Sequence, residues 1–316
     1  MIDHRTPAIT RRQVLAAALG TAGLAAIGVG DALGSHLAEK ASMRIGCGTV
    51  TFRKRPLKEA FERIHRAGYE YVEPQATGPW CPHVDAWKDD PQEFRRLVKE
   101  YGFKGVSALW APHGALVADP KCIEGITQAL RWAKEAGIPV VNAGDGHKPP
   151  AMSHADALKL IGERLARILE VAEQCRVYLA IEPHGSFSVT ADGLAKLMAL
   201  SPSKWLGINY DTANVHHAYA AKTTGPRAPY GHLQDEVTVL KAVVGRVVHV
   251  HVKDTSGGKC VPLGQGDVHL KGCLEVLREH GYQGALSLET EGEFDAEQGQ
   301  RLIEASRTYL LKTLAL

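Results

Sequence analysis

The sequence predicts a single-domain α/β protein with the (β/α)₈ architecture of a TIM barrel, preceded by an export signal. Strand-like and helix-like segments alternate eight times across residues 44–314, which is typical of parallel strands joined by crossover helices. The seventh strand, Val247–Asp254, has valines on one face and histidine and lysine on the other, as suits a barrel strand between outer helices and a polar interior. No G-x-G-x-x-G motif follows the first strand, so the nucleotide-binding signature of a doubly wound sheet is missing.

The eight predicted strands are short and rich in apolar residues. They cover residues 44–52, 70–75, 103–110, 138–143, 177–182, 205–210, 247–254 and 285–289. In the seventh strand, the period of two places Val248, Val250 and Val252 on the outward face and the histidines inward. His249 lies one layer deeper than His251, and we expect it to be a hydrogen-bonded core histidine and not a ligand.

The predicted helices begin and end at residues with known positional preferences. Pro56 and Pro91 suit helix starts, Ser153 suits an N-cap, and Gly68 and Gly137 suit helix ends. The eight helices cover residues 57–67, 91–101, 121–136, 153–174, 191–200, 231–244, 268–280 and 295–311. A loop of uncertain structure is expected between the sixth strand and Gly231.

Composition excludes several classes of partner and site. The net charge is +2 and the sequence has no basic run, so we expect no nucleic-acid or membrane-surface partner. The six cysteines are scattered and form no C-x-x-C motif, which argues against a disulfide framework and against a structural zinc site. We expect the cysteines to be small buried apolar residues.

Residues 1–42 are predicted to be a signal and linker outside the barrel, which would span residues 43–316. Arg11 and Arg12 precede an apolar run, 16–30, and this order is typical of an export signal of the twin-arginine type. The run is shorter than the roughly 20 residues that a membrane span needs. We therefore expect the twin-arginine export machinery as a partner, a periplasmic or otherwise exported protein, and no stable membrane association after signal removal.

The cleavage site stays open, and so does an uncleaved anchor. Replacing Arg11 and Arg12 with lysine tests the expectation, because the variant should be trapped in the cytoplasm. Unchanged export would contradict the twin-arginine assignment.

Four successive strands end in side chains that can bind a metal. The period of two points Glu182, Asp211, His251 and Glu289 to the same rim of the barrel. Three converging carboxylates would repel one another without a cation, and three oxygen ligands with one imidazole suit Mn²⁺, Mg²⁺ or Co²⁺. The sequence therefore predicts one divalent metal site, with Lys253 at the same rim offsetting the remaining negative charge.

Further polar side chains are predicted near the mouth of the barrel. Glu73 ends the second strand on its inward face, His113 follows the third strand, and His184 lies just after Glu182. We expect these residues and Lys253 to bind substrate, although a loop or packing role is the alternative for each. Trp80 and Trp110 could form the walls of a sugar site by ring stacking.

These motifs resemble the xylose isomerase-like TIM barrel superfamily, in its sugar phosphate isomerase/epimerase group. The resemblance covers residues 43–316 and is carried by Ala180–His184, Asp211–Asn214, His251–Asp254 and the terminal Glu289. It implies that the four rim residues bind one divalent metal, Mn²⁺ first, with Mg²⁺, Co²⁺ or Zn²⁺ as alternatives. It also implies that Asn214, a histidine in many epimerases, lines the substrate site.

Abasic-site endonucleases of the same superfamily need a histidine at position 214 and an Asp-x-His motif after the seventh strand. Residues 261–267 read Val-Pro-Leu-Gly-Gln-Gly-Asp. The additional zinc ligands are therefore missing, and we set the nuclease activity aside.

The resemblance implies an isomerase or epimerase that acts on a ketose or a related polyol carbonyl compound. The metal would bind the carbonyl and an adjacent hydroxyl and stabilise an enediolate, while Glu182 and Glu289 exchange the proton as base and acid. A dehydratase or lyase acting on an inosose or a 3-keto-glycoside is the alternative reaction. A sugar-binding barrel without turnover is the alternative of another class. The oligomeric state stays open, a homo-oligomer included.

Overall fold

The computed structural model describes residues 43–225 and 228–314. The compact unit that contains the barrel spans Ala41–Leu316. The predicted signal, 1–42, lies outside the described residues. Within the described ranges, none of the helices is both long enough and apolar enough to span a bilayer.

Parallel strands form the barrel, and two short antiparallel hairpins lie in its loops. The strands are β1 Arg44–Gly48, β2 Tyr71–Glu73, β3 Ala76–Thr77, β4 Cys81–Pro82, β5 Gly105–Val106, β6 Leu109–Ala115, β7 Val140–Gly144, β8 Tyr178–Glu182, β9 Leu206–Asp211, β10 Val247–Val252, β11 Thr255–Ser256, β12 Lys259–Cys260 and β13 Ala285–Leu288. The order in the main sheet is β5-β2-β1-β13-β10-β9-β8-β7-β6. Both ends of this order, β5 and β6, belong to the third predicted strand, and a bridge between Gln75 and Trp110 brings the sheet close to closure. The predicted TIM barrel is confirmed as a nearly closed sheet of nine parallel strands, because the third predicted strand is divided into β5 and β6.

Helices surround the barrel. They are α1 Leu57–Arg66, α2 Pro91–Glu100, α3 Cys122–Ala136, α4 His154–Cys175, α5 Ala191–Ala199, α6 Thr212–Ala221, α7 Glu236–Val243, α8 Leu270–Glu279 and α9 Ala296–Leu314. The first predicted strand is shorter than expected, because its last four residues, Thr49–Phe52, form a 3₁₀ turn. The N-cap prediction for Ser153 is confirmed, since its Oγ accepts a hydrogen bond from the Asp156 backbone N–H at 3.0 Å.

Helix α6 occupies a segment for which the sequence predicted a loop. The Asp211 carboxylate caps its N-terminus by accepting from the backbone N–H of Asn214 at 2.7 Å. The helix begins directly after the strand, so no turn residues separate the two elements. Its capping residue, Asp211, is also one of the four predicted metal ligands, so one side chain would both start the helix and bind the metal.

Strand β10 contains an irregularity that reverses one side-chain direction. Its register against β9 shifts between Val247 and His249. Val248 therefore packs against the inner cluster that includes Ala180, while Val250 and Val252 pack in the main core between strands and helices. The prediction that Val248 shares their outward face is wrong, because the bulge breaks the period of two.

Gly207 on β9 provides the space for Val248. A Cβ added to Gly207 would lie 2.6 Å from Val248 Cγ2. We expect Gly207→Ala to destabilise the barrel by about 1–3 kcal/mol, the usual effect of overpacking, as measured by urea unfolding. Gly162→Ala in α4 is the matched control, because its added Cβ would lie 3.7 Å from Leu200 and alanine favours helix over glycine by roughly 0.8–1 kcal/mol. Equal stability of the two variants would contradict this account.

Candidate functional site

Four buried side chains meet at the carboxyl end of the barrel. Glu182 ends β8, Asp211 ends β9, His251 lies near the end of β10 and Glu289 follows β13. One candidate ligand atom from each lies within 4.8 Å of the others. All four side chains are almost completely buried. The structure thus brings together the four residues that the sequence predicted to converge, and we call them the rim cluster.

His251 directs one ring nitrogen at the three carboxylates. Its Nδ1 lies 3.4 Å from Glu182 Oε2, 3.4 Å from Glu289 Oε2 and 3.9 Å from Asp211 Oδ2. Its other nitrogen, Nε2, lies 2.8 Å from Glu73 Oε1. A carboxylate that accepts a hydrogen bond from the far nitrogen fixes the ring and leaves the near nitrogen free for a metal.

Glu73 lies in the barrel interior beneath this histidine. Its Oε2 is 2.8 Å from His249 Nε2, and Asn142 Nδ2 donates to its Oε1 at 2.8 Å. Burial would raise the pKa of Glu73, but His251 and His249 together hold that pKa below its usual value. The predicted position at the mouth is wrong, because both carboxylate oxygens face buried partners. His249 is the hydrogen-bonded core histidine that the sequence predicted.

Lys253 supplies a buried positive charge beside the rim cluster. Its Nζ lies 2.6 Å from Glu289 Oε2, 3.0 Å from Asp211 Oδ2 and 2.9 Å from Glu291 Oε2. Burial disfavours the ammonium, yet these carboxylates raise the pKa of Lys253 well above its usual value. Sequence reasoning missed Glu291, because it lies past the strand end, where the period of two no longer applies.

The two glutamates of the rim cluster have different surroundings. Glu182 Oε2 accepts from Trp110 Nε1 at 2.8 Å and from Asn209 Nδ2 at 3.1 Å. Burial raises the pKa of Glu182 to about 7, with Glu289 adding to the rise and His251 opposing it. For Glu289, burial is outweighed by His251 and Lys253, which hold its pKa well below the usual value.

Gln75 and Lys253 contact the other two carboxylates of the rim cluster, Glu289 and Asp211. Gln75 Nε2 donates to Glu289 Oε1 at 3.1 Å, a contact that sequence reasoning missed, since Gln75 lies beyond the second strand. Asp211 Oδ2 is buried and pairs with the Lys253 ammonium at 3.0 Å. Burial is also the main cause that raises the pKa of Asp211.

The rim cluster fits a divalent cation. Its three carboxylates and the His251 ring converge within 4.8 Å of one another, and carboxylates this close repel one another unless a cation lies among them. Three carboxylates and one imidazole provide both the charge and the hard oxygen donors that Mg²⁺ or Mn²⁺ prefers. Glu73, His249 and His251 also lie close enough together to hold a metal, but their nitrogens and oxygens already pair with one another.

A cavity of about 400 Å³ opens above the rim cluster. Its lining residues are Gln75, Thr77, Trp80, Trp110, Glu182, His184, Glu289 and Glu291. Asn214 Nδ2 donates to Glu182 Oε1 at 3.2 Å and lies 3.4 Å from His184 Nδ1. His113 instead pairs with Asp119 at 2.8 Å and does not line this cavity. Of the predicted substrate-binding residues, His184, Asn214 and Lys253 therefore lie at the rim cluster, and Glu73 and His113 do not face the cavity.

Sequence comparison relates most of the barrel to known proteins. A family model described as xylose isomerase-like TIM barrel matches residues 61–309. The L-ribulose-5-phosphate 3-epimerase UlaE of Escherichia coli is 28% identical over 173 residues, which is 53% of this chain and 55% of that protein. The chain spans 55–61% of the length of the first curated relatives that it matches.

Solved structures share the fold over nearly the whole barrel. A D-tagatose 3-epimerase-like protein has a TM-score of 0.68 at 22% identity, covering 86% of this chain and 97% of its own. The IolI protein, solved with a zinc atom, has a TM-score of 0.68 at 18% identity, covering 86% of this chain and 98% of its own. At these identities the likeness shows the fold alone.

Proposed function

Because the chain belongs to the xylose isomerase-like TIM barrel family, we propose that it is a divalent-metal-dependent sugar isomerase or epimerase. The substrate class is a ketose or a related polyol carbonyl compound. The observation that carries the proposal is the rim cluster, in which two buried glutamates from separate strands lie at one candidate metal site.

Glu182, Asp211, His251 and Glu289 are the proposed metal ligands. A bound divalent ion would polarise the substrate carbonyl and stabilise the negative charge that develops on its oxygen. Glu73 keeps the His251 ring in place through the 2.8 Å contact to Nε2. Lys253 balances part of the charge of Asp211 and Glu289, since its ammonium contacts both.

The two glutamates are the proposed proton-transfer groups. Lys253 helps to keep Glu289 ionised, so Glu289 can remove a proton from the carbon next to the carbonyl. From the other side, Glu182 can return a proton that it has taken up from solvent. The roles exchange for the reverse reaction. Return of the proton to the opposite face gives an epimer, and return to the neighbouring carbon gives an isomer.

Aromatic side chains would hold the sugar ring. Trp110 is fixed by its hydrogen bond to Glu182. Trp80 lines the same cavity, and the Arg53 guanidinium carbon lies 5.1 Å from the centroid of its ring. Flat aromatic faces pack well against the apolar side of a sugar ring. Stacking would therefore orient the reacting carbon toward the two glutamates.

A substrate screen in D₂O tests the proposal. The metal-loaded protein is incubated with ketoses, inososes and 3-keto-glycosides, and the products are identified by NMR. We expect deuterium at the carbon next to the carbonyl together with an epimer or isomer. Loss of a hydroxyl or of a glycosidic substituent would instead identify a dehydratase or lyase. Binding without deuterium incorporation for every compound would identify a sugar-binding barrel and contradict the proposal.

A further inference from the structure

A second and larger cavity lies beside the rim cluster. Its volume is about 800 Å³, against about 400 Å³ for the cavity above the cluster. Its walls come from the loop after β7, the loop after β8 and one face of α6. We call it the lateral cavity.

The lateral cavity adjoins the proposed reaction centre. His184 lines both cavities. Asn214 lines the lateral cavity and donates to Glu182 Oε1 at 3.2 Å. His184 and Asn214, whose side chains lie 3.4 Å apart, thus lie between the two cavities, and a substrate that reacts at Glu182 would pass over them to reach the lateral cavity.

The lining of the lateral cavity is mainly apolar and small. Pro149, Pro183 and Val189 form the loop walls, and Ala218 and Ala221 face it from α6. Asn214, Ala218 and Ala221 lie four and three residues apart, so they share one face of the helix. Short side chains along this face leave the space that the cavity occupies.

Few permanent charges line the lateral cavity. No aspartate or glutamate is among its described lining residues, and Lys148 is the one permanent cation there. The Lys148 ammonium already donates to the Met152 carbonyl at 2.9 Å. Its other polar lining includes His147, His184 and His217, which are neutral unless protonated. The proline, valine and alanine surfaces are suited to the burial of an apolar group.

The loop walls are held in place before any ligand arrives. The buried Asp145 carboxylate accepts from the Phe187 backbone N–H at 2.6 Å and from the Ser188 hydroxyl. Gly185 packs so closely that an added Cβ would lie 2.4 Å from Asp145 Oδ1. A preformed wall reduces the ordering cost of binding.

We propose that the lateral cavity binds the apolar aglycone of a glycoside, so that the substrate is an oxidised sugar carrying an aromatic or aliphatic substituent and not a free ketose. The sugar end would occupy the cavity above the rim cluster, and the aglycone would lie against Ala218 and Pro183. The assignment of the reacting end rests on the proposed function. The apolar subsite itself rests on the lining, the volume and the shared residues.

Binding of two unreactive glycosides to the metal-loaded full chain tests the subsite without requiring turnover. The probes are 4-methylumbelliferyl β-D-glucoside and methyl β-D-glucoside, and their dissociation constants are measured by calorimetry. We expect the aryl glucoside to bind at least roughly 10-fold more tightly, because its ring system removes apolar surface from water. Equal affinities, or tighter binding of glucose 6-phosphate than of the aryl glucoside, would overturn the proposal.

Variants that fill the lateral cavity sharpen the test. Ala218→Trp and, independently, Ala221→Trp should bring the ratio of the two affinities toward one. Ala220→Trp is the matched control on the same helix, because Ala220 is exposed and does not line the cavity, so the ratio should persist. Circular dichroism shows which variants are folded. Retention of the ratio in both folded cavity variants would contradict the assignment.

The outcomes separate this inference from the proposed function. Turnover of free ketoses with no aryl preference would support the chemistry and remove the aglycone site. An aryl preference that both cavity variants abolish, in a protein that turns over no sugar, would support the subsite and remove the proposed chemistry.

Discussion

The His251→Ala variant should lose most of the divalent metal that the wild-type protein holds. We expect about one ion per chain in the wild type, since the rim cluster offers one set of mixed oxygen and nitrogen donors. His251 contributes the nitrogen that faces all three carboxylates. Removing a ligand should weaken binding by more than the roughly 10- to 100-fold that loss of an outer partner causes. Metal content after dialysis, and competition with a fluorescent chelator, measure the loss.

The metal content of two further variants provides a comparison for this loss. Glu73→Gln should show an intermediate decrease in metal content, because the His251 ligand remains but the carboxylate that holds its Nε2 becomes an amide. His113→Ala is the matched histidine control, since His113 pairs with Asp119 on the surface and should retain the wild-type metal content. Full occupancy of His251→Ala would refute the ligand assignment.

Metal uptake should also weaken as the pH falls through about 7. In the metal-free protein, burial raises the pKa of Glu182 to about 7. Burial alone would lower the pKa of His251, but Glu289, Glu73 and Glu182 raise it well above its usual value. Both groups must lose a proton before they can bind metal, so both shifts act in the same direction. Calorimetry in buffers with different ionisation enthalpies should detect proton release on metal binding.

The sequence predicted the rim cluster because strand geometry is nearly local. Each of Glu182, Asp211 and Glu289 is an acidic residue at the end of an apolar strand, and parallel barrel strands bring such ends together. The same rule failed at Val248, where the bulge depends on the space above Gly207 on a neighbouring strand. No periodicity within one strand contains that information.

The sequence also could not predict how deep Glu73 lies in the barrel or which loop side chains contact Glu289 and Lys253. Glu73 points inward as predicted, but whether an inward residue lies at the mouth or below it depends on the stagger between β2 and β10. Gln75 and Glu291 lie in loops, and their contacts with the cluster depend on loop conformation. The sequence predicted a loop where α6 lies, and the helix start at Asp211 is visible only in the structure, where its carboxylate accepts from the Asn214 backbone N–H.

Glutamine substitutions at Glu182 and Glu289 should each decrease turnover more than they decrease metal binding. Glutamine keeps the size of the side chain and a carbonyl oxygen that can face the metal, but it cannot accept the substrate proton as a base. With saturating metal, we expect each variant to fall by roughly 10² or more, the usual contribution of a general base or acid. Glu293→Gln is the matched control near the mouth, since Glu293 is exposed and pairs with Arg53, and it should retain wild-type turnover.

Deuterium exchange separates the two glutamates because they serve different faces of the substrate. Their strands, β8 and β13, are separated by β9 and β10 in the barrel, so their carboxylates approach a substrate at the rim cluster from different sides. Wild-type protein should incorporate solvent deuterium into the carbon next to the carbonyl from either epimer. Glu289→Gln should lose exchange from the epimer whose proton faces Glu289, and Glu182→Gln should lose it from the other epimer. If both metal-saturated variants still incorporate deuterium at the wild-type rate, proton transfer does not use these two glutamates, and the role of the rim cluster reduces to holding the metal.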